Sequence, residues 1–364
     1  MAHFGEFIAL NEKPFADMHQ ALQLPESLFP VDYSKGIFFS DSRPLMSSRI
    51  SANLYRVICV YYAANGNKEA TFINLQDSLR LDALYQNDRL MIAELLRMAV
   101  NAVSFHTLLD VMQRIEFDEP SLAQLQAQIK GKSQPALLTR TYEGELSAFC
   151  DACIKFSNSS HLYFISFFYT PDSRPTLIFS PEWFVYYAKS ILGRILLFLT
   201  HISGLWDLNF LKTVEMYQKL IEATKLPYSA QLKEIEKIEK ETEMFSFVYP
   251  LPKMHLSSVI KSATRFQMDI AQIRTAATAL AVERYRLKYK SLPDSLEQIA
   301  PEFIESIPVD PFDGKPLKYR KDGASFYVYS IGHNLTDDGG DPAKSKSGTK
   351  AIYGEDIVFF IERP

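Results

Sequence analysis

The chain has 364 residues, 47% of them hydrophobic and 23% charged, and carries a formal net charge of -4. That is the composition of a folded globule and excludes a disordered tail, and the interspersed signs leave no basic footprint for nucleic acid. The length points to two domains, and three cysteines, Cys59, Cys150 and Cys153, are too few for a disulfide-built scaffold.

The opening "MAHFGEFIALNEKPFADM" has no basic region followed by an apolar run, so it does not read as a signal peptide. Pro14, Pro25, Pro30 and Pro44 punctuate residues 1–45, which are expected to form an extended N-terminal arm. Helical signals then dominate residues 46–250. "SSRISANLYRVICVYYAANGN" starts on serine cap candidates and stops at Asn-Gly-Asn, and with the next helix it forms a tetratricopeptide-style hairpin without a second copy. In "NDRLMIAELLRMAVNAVSFHTLLDVMQRI", Leu90, Ile92, Leu95, Leu96, Ala99 and Val103 make the expected inward face. "DEPSLAQLQAQIKG" has Pro120 in its first turn and Gly131 at its end.

Cys150-Asp-Ala-Cys153 has C-x-x-C spacing, but no second pair completes a zinc site. Lying in the helical "ELSAFCDACIKF", the two read as small core-facing residues. Around 161–180 the aromatic runs flanking "TPDSRP" read as an extended segment, a layer beneath the helices or, alternatively, a ligand groove. "SILGRILLFLTHISGLW", broken by Arg194, His201 and two glycines, is too interrupted for a span of ~20 apolar residues. No membrane span is therefore expected in the chain, and removal of an N-terminal anchor stays open. The alternating Lys and Glu of "SAQLKEIEKIEKETEM" mark a solvated helix face.

No G-x-S-x-G elbow, H-E-x-x-H pair, P-loop or Rossmann fingerprint occurs, and the expectation is that the chain is not an enzyme. An enzyme with the aromatic middle as pocket would draw its acid or base from Glu145 with Asp151, or from Glu283, though no motif singles them out. His106 and His201, on apolar helices, read as satisfied core residues. A helical adaptor that grips a partner peptide is a further alternative.

From about His255 to Tyr289 runs the clearest element, with Leu256, Val259, Ala263, Phe266, Ile270, Ile273, Ala277 and Leu280 stepping by three and four. It reads as a spine helix, either a coiled-coil seam or a helix laid along a bundle or sheet. Pro293 ends it, "DSLEQIA" makes a short helix capped by Asp294 or Ser295, and "SIPVDPFDGKPLKY" biases Ile307 and Asp310 toward extended backbone. "PLKYRK", "SFYVYSI" and "DIVFFIE" then read as three antiparallel strands, the first two turned at Lys321-Asp-Gly323. The fold expected is mainly α: an irregular helical-hairpin bundle, the spine, and a small α+β module over residues 251–364.

The ordered series "ALAVERYRLKYKSLPDSLEQI", "IPVDPFDGKPLKY", "YVYSIGHNLTDDGGD" and "EDIVF" resembles the C-terminal part of the type II secretion major pseudopilins, over roughly residues 270–361. The helical region with this module is also similar to uncharacterised envelope proteins of planctomycete and verrucomicrobial type. The spine here is internal and carries Lys261, Arg265, Asp269 and Arg274, unlike the apolar N-terminal helix through which pseudopilins assemble. The loop after the second strand, with "AKSKSGTKAIY", is longer than the family's. The resemblance implies a non-catalytic, extracytoplasmic protein of the cell envelope, linked to secretion or pilus-like systems, with protein partners. It also implies calcium as cofactor, bound by Asp338, Asp341 and Asp356, with Asp337 an adjacent spare. Such oxygen-rich loops suit calcium, and an acidic solvent loop without an ion is the alternative.

Overall fold

The computed structural model describes residues 2–24, 27, 29, 43–158, 204–244, 249–341 and 356–363. Among them are helices α1 (Ala2–Leu10), α2 (Glu12–Ala21), α3 (Arg43–Ala64), α4 (Lys68–Arg80), α5 (Met91–Met112), α6 (Glu119–Lys130) and α7 (Leu137–Asn158). Helices α8 (Leu205–Ala223), α9 (Tyr228–Met244) and the spine α10 (Pro250–Tyr289) follow, then strands β1 (Lys318–Asp322), β2 (Ser325–Ser330) and β3 (Ile357–Ile361). Short 3-10 turns at Leu81–Tyr85 and Leu296–Ile299 complete the regular elements. The architecture is mainly α with a small antiparallel sheet of order β1-β2-β3 at the C-terminal end.

Residues 2–21, expected in an extended arm, are helical. Pro14 lies in the first turn of α2, where its missing N–H and fixed φ are tolerated, so its presence did not signal extended chain. Most of the remaining arm, the aromatic segment 161–180 and His201 lie outside the described residues.

The spine is enclosed and does not form a two-helix seam. All eight stripe residues are buried, and so are Ala271, Ala276, Ala279 and Ala281 on its other faces. Such small side chains let neighbours approach, and the spine meets α5, α6, α7, α8, α9, β2 and β3. It ends at Lys290, whose left-handed φ of 57° turns the chain while its N–H bonds Arg286 O at 2.9 Å. One continuous cluster of buried apolar side chains runs from Cys59 on α3, through α4–α10, to Phe359 and Ile361 on β3.

Helix α5 differs from its expected orientation. Ile92, Leu95, Ala99 and Val103 are only partly buried, whereas Glu94, Arg97, Asn101 and Ser104 are fully buried. Their spacing of three and four makes them a polar stripe, and it meets polar partners on the spine and the turn before α5. Arg97 donates to Glu94 (2.7–3.0 Å) and to Asp269 Oδ2 (2.7 Å), and Asn101 donates to Asp269 Oδ1 (3.2 Å). Lys132 donates to Asp82 (2.5 Å), Asn101 (3.1 Å) and the Leu79 carbonyl. Burial pushes the Glu94 carboxyl above the usual range against the pull of Arg97. Burial opposes the Arg97 charge as well, but Asp269 and Glu94 outweigh it.

Helix α7 crosses the start of α5 at Gly144, where any Cβ would stand 2.2 Å from the Arg89 carbonyl oxygen. This approach lets Glu145 accept from the Met91 N–H at 2.6 Å, capping α5 from another helix.

The proline-rich stretch before β1 folds around one carboxylate. Asp310 accepts from Phe312 N (2.9 Å), Ser330 Oγ (2.9 Å) and Ile331 N (2.8 Å), joining the turn to the end of β2. Its own main chain bonds Lys315 O and Gly314 N, and Phe312 is buried against Ala271 and Ile331. The module is fastened to the helices by Arg284 to Glu119 and Gln126, by Gln126 to Phe303 O (2.9 Å), and by Gln113. Gln113 donates to Phe360 O (2.8 Å) and accepts from Glu362 N (3.0 Å).

Two outcomes follow from this packing. Asp310→Ala strands two buried N–H groups and should destabilise the chain by about 2–3 kcal/mol in denaturant unfolding, whereas Asp310→Asn should recover part of the loss. Phe266→Ala should cost about 3–5 kcal/mol. Helical circular dichroism and hydrogen exchange of β2 amides should still report one transition, and two separate transitions would show that helices and sheet do not share a core.

Candidate functional site

Strand β2 ends at Ser330, and the loop that follows doubles back toward β3. Asn334 forms an Asx turn with Thr336 N (3.0 Å) and donates to Asp338 Oδ2 (3.2 Å). Asp337 accepts from Gly339 N (3.0 Å) and pairs with Lys318 (3.1 Å). Burial works to raise its pKa, but Lys318 and the Gly339 N–H outweigh it, so the carboxyl stays below the ordinary range. Gly340 is buried with φ of 64°, and a Cβ there would sit 2.6 Å from the Tyr329 ring, so only glycine lets the loop lie on that ring.

Its N–H donates to Asp356 Oδ2 at 2.7 Å. Asp356 is buried at the start of β3, and its second oxygen, Oδ1, has no hydrogen-bond partner. Burial pushes its carboxyl above the ordinary range. The Gly340 and Asp338 N–H groups oppose this, and the charges of Asp337 and Asp338 add to it. The structure therefore brings Asp356 together with the 337–340 segment. Asp338 and Asp341 are half-buried along the same loop, and residues 342–355, including "AKSKSGTKAIY", lie outside the described residues. Among the described residues no three His, Cys, Asp or Glu side chains are grouped to hold a metal ion.

The acid and base candidates are dispersed, and His106, expected in the core, is exposed. Glu145 caps α5, Asp151 is exposed on α7, and exposed His106 bonds the Ala102 carbonyl within its own helix (2.7 Å). Glu283 pairs with Arg286 (2.8 Å) and Arg363 (3.1 Å), and Glu116 joins the same two arginines. Cys150 and Cys153 are half-buried, and burial raises both thiols, Cys153 to about 12. Among the described residues α5 is the one helix long and apolar enough to cross a membrane, and 61% of that window is buried in the protein.

Sequence reasoning passed over two groups. Asp310 is a hub with three donors, and Asp-Pro with Asp-Gly gave only its turn. His255, on the spine, accepts or donates at 2.9 Å with Tyr217 OH and stacks on Phe149 at 4.8 Å. Its position beside an apolar stripe was the available signal.

Burial depresses the His255 pKa from 6.5 to about 4. A base whose folded pKa lies below its unfolded value contributes fully above the unfolded pKa, and stability is lost as pH falls through 6.5 toward 4. His255→Gln should remove on the order of 2–3 kcal/mol of acid sensitivity in that window. Melting curves of both proteins between pH 7 and pH 4 would read this, and parallel curves would rule it out.

No family model matches the chain, and no curated protein or solved structure resembles it at a significant level.

Proposed function

We propose that this chain is a non-catalytic structural or protein-interaction component of the cell envelope, outside the cytoplasm, whose C-terminal module is closed by a calcium ion. The observation that carries the reading is Asp356: a buried carboxylate with one oxygen on the Gly340 N–H and the other without a partner. An orphaned buried carboxylate oxygen is costly, and a hard cation is the partner that offsets it. Asp356 would hold the ion, with Asp338 and Asp341 from the same loop and main-chain carbonyls turned inward at the glycines. Asp337, already neutralised by Lys318, stays outside the ligand set.

The ion would act as a clasp between the β2–β3 loop and the sheet. Calcium sites of extracellular modules bind at about 10⁻⁴–10⁻³ M, which agrees with an extracytoplasmic location. A charge cluster beyond the other end of β3 supports a structural role. Glu283, Arg286, Arg363 and Glu116 join the spine, the C-terminal strand and the chain before α6. Protein partners, in secretion or pilus-like assemblies, belong to the same reading.

The test is a thermal melt with EGTA and then with millimolar calcium. At a calcium concentration about tenfold above Kd the gain is about 1.4 kcal/mol, which should appear as a rise of about two degrees. Asp338→Ala and Asp356→Asn should each abolish the rise while leaving the EGTA melt nearly unchanged. A wild-type melt indifferent to calcium removes the ion from the proposal.

A further inference from the structure

A cleft of roughly 240 Å³ opens between the 3-10 turn at Leu81–Tyr85, helix α5 and the end of α6. Its inner wall carries Arg97, Asp82 and Lys132, and three glutamines, Gln86, Gln128 and Gln134, stand around it. Lys132 is fully committed, its three N–H groups directed at Leu79 O, Asp82 Oδ1 and Asn101 Oδ1. Arg97 is not. Its Nε and Nη2 bond Glu94 and Asp269, while Nη1 approaches Asp82 Oδ2 only to 3.9 Å, beyond hydrogen-bonding distance. A guanidinium nitrogen and a carboxylate oxygen thus stand 3.9 Å apart where the cleft opens, neither within hydrogen-bonding distance of the other.

Charge selects what fits between them. Arg80, Arg97 and Lys132 contribute three positive charges, and Asp77, Asp82, Glu94 and Asp269, each paired to one of them, contribute four negative ones. The cluster as a whole sums to one negative charge, so an anion gains no net attraction, and a cation would meet Arg80, Arg97 and Lys132 beside Asp82, the one carboxylate among the lining residues. The group must be uncharged, accept from Nη1 and donate to Oδ2 through neighbouring atoms. Two adjacent hydroxyls do this, since each both donates and accepts and their oxygens lie roughly one hydrogen-bond length apart. The volume holds about eight waters at ~30 Å³ each, enough for a small ring or short chain in their place. Gln128, whose Nε2 donates to Gln76 O at 2.9 Å, also lines the cleft and adds amide groups to its polar wall.

We propose that this cleft binds a small uncharged polyol or monosaccharide, with Arg97 Nη1 donating to one hydroxyl oxygen and Asp82 Oδ2 accepting from the hydroxyl next to it. The site is independent of the calcium loop.

The test titrates the intact chain with glycerol, myo-inositol and glucose, and in parallel with acetate, phosphate and acetamide, following amide chemical shifts and heats of binding. At least one polyol should bind saturably, moving the Ala83 and Gly131 resonances, and acetate and phosphate should not. Ala83 lies on the wall, is exposed, and takes no part in the ion network, so Ala83→Leu should narrow the cleft, leave the melting temperature in place and weaken the polyol by at least about tenfold. Absence of saturable polyol binding would overturn the proposal. So would binding that survives Ala83→Leu at full strength, or equal binding of acetate, phosphate or acetamide.

Discussion

Asp269 lies in the enclosed part of the spine, surrounded by residues with almost no contact with water, and an unpaired charge there would cost several kcal/mol. The fold answers with Arg97 on α5, which Glu94 holds in place from one turn earlier on the same helix. Asp82 and Lys132 extend the cluster to the turn before α5 and the chain after α6. Apolar contacts along two helices tolerate sliding by a turn at modest loss. A guanidinium between two buried carboxylates does not, because any slip strands a charge. The register of spine, α5 and α6 is therefore set at this cluster, and the cleft beside it lies between α5, the turn before it and the end of α6.

A second set of polar ties, of a different kind, joins the C-terminal module to the helices. Gln113, Gln126 and Arg284 reach main chain or side chains of partners far away in sequence, and Glu283 with Arg286, Arg363 and Glu116 forms a charge-balanced group. These ties surround an apolar interface that runs without interruption from the bundle into the sheet. The module is thus anchored from several directions, and Asp310 keeps the entry to it rigid by holding the end of β2 to the turn before β1.

Much of this was legible in the chain. The spine's apolar steps, the three strands and the turn at Gly323 carry local signals that tertiary contacts reinforce. The helices at residues 2–21 escaped because prolines spaced along a segment look alike whether they sit in a first helical turn or a loop. The inward face of α5 escaped because Glu94, Arg97 and Asn101 look solvent-facing until their partners on other elements are known. The acidic loop was legible as an oxygen-rich segment, and Asp356 could be nominated. That one of its oxygens is buried without a partner depends on β3 lying beside residues 338–340, which no local pattern encodes.

The side-chain amide of Gln113 imitates a peptide unit, offering one donor and one acceptor to consecutive groups on the outer side of β3. It terminates the ladder there, so another strand cannot extend the sheet across that margin without first displacing a helix-borne residue. The opposite margin, β1, carries Lys318, Arg320, Lys321 and Asp322, charged side chains of the kind that blunt a sheet edge against strand addition. A three-stranded sheet with one margin capped and the other charged is built to stay three-stranded. Strand addition is thus disfavoured at both margins of the sheet, by a capping amide on one side and by charge on the other.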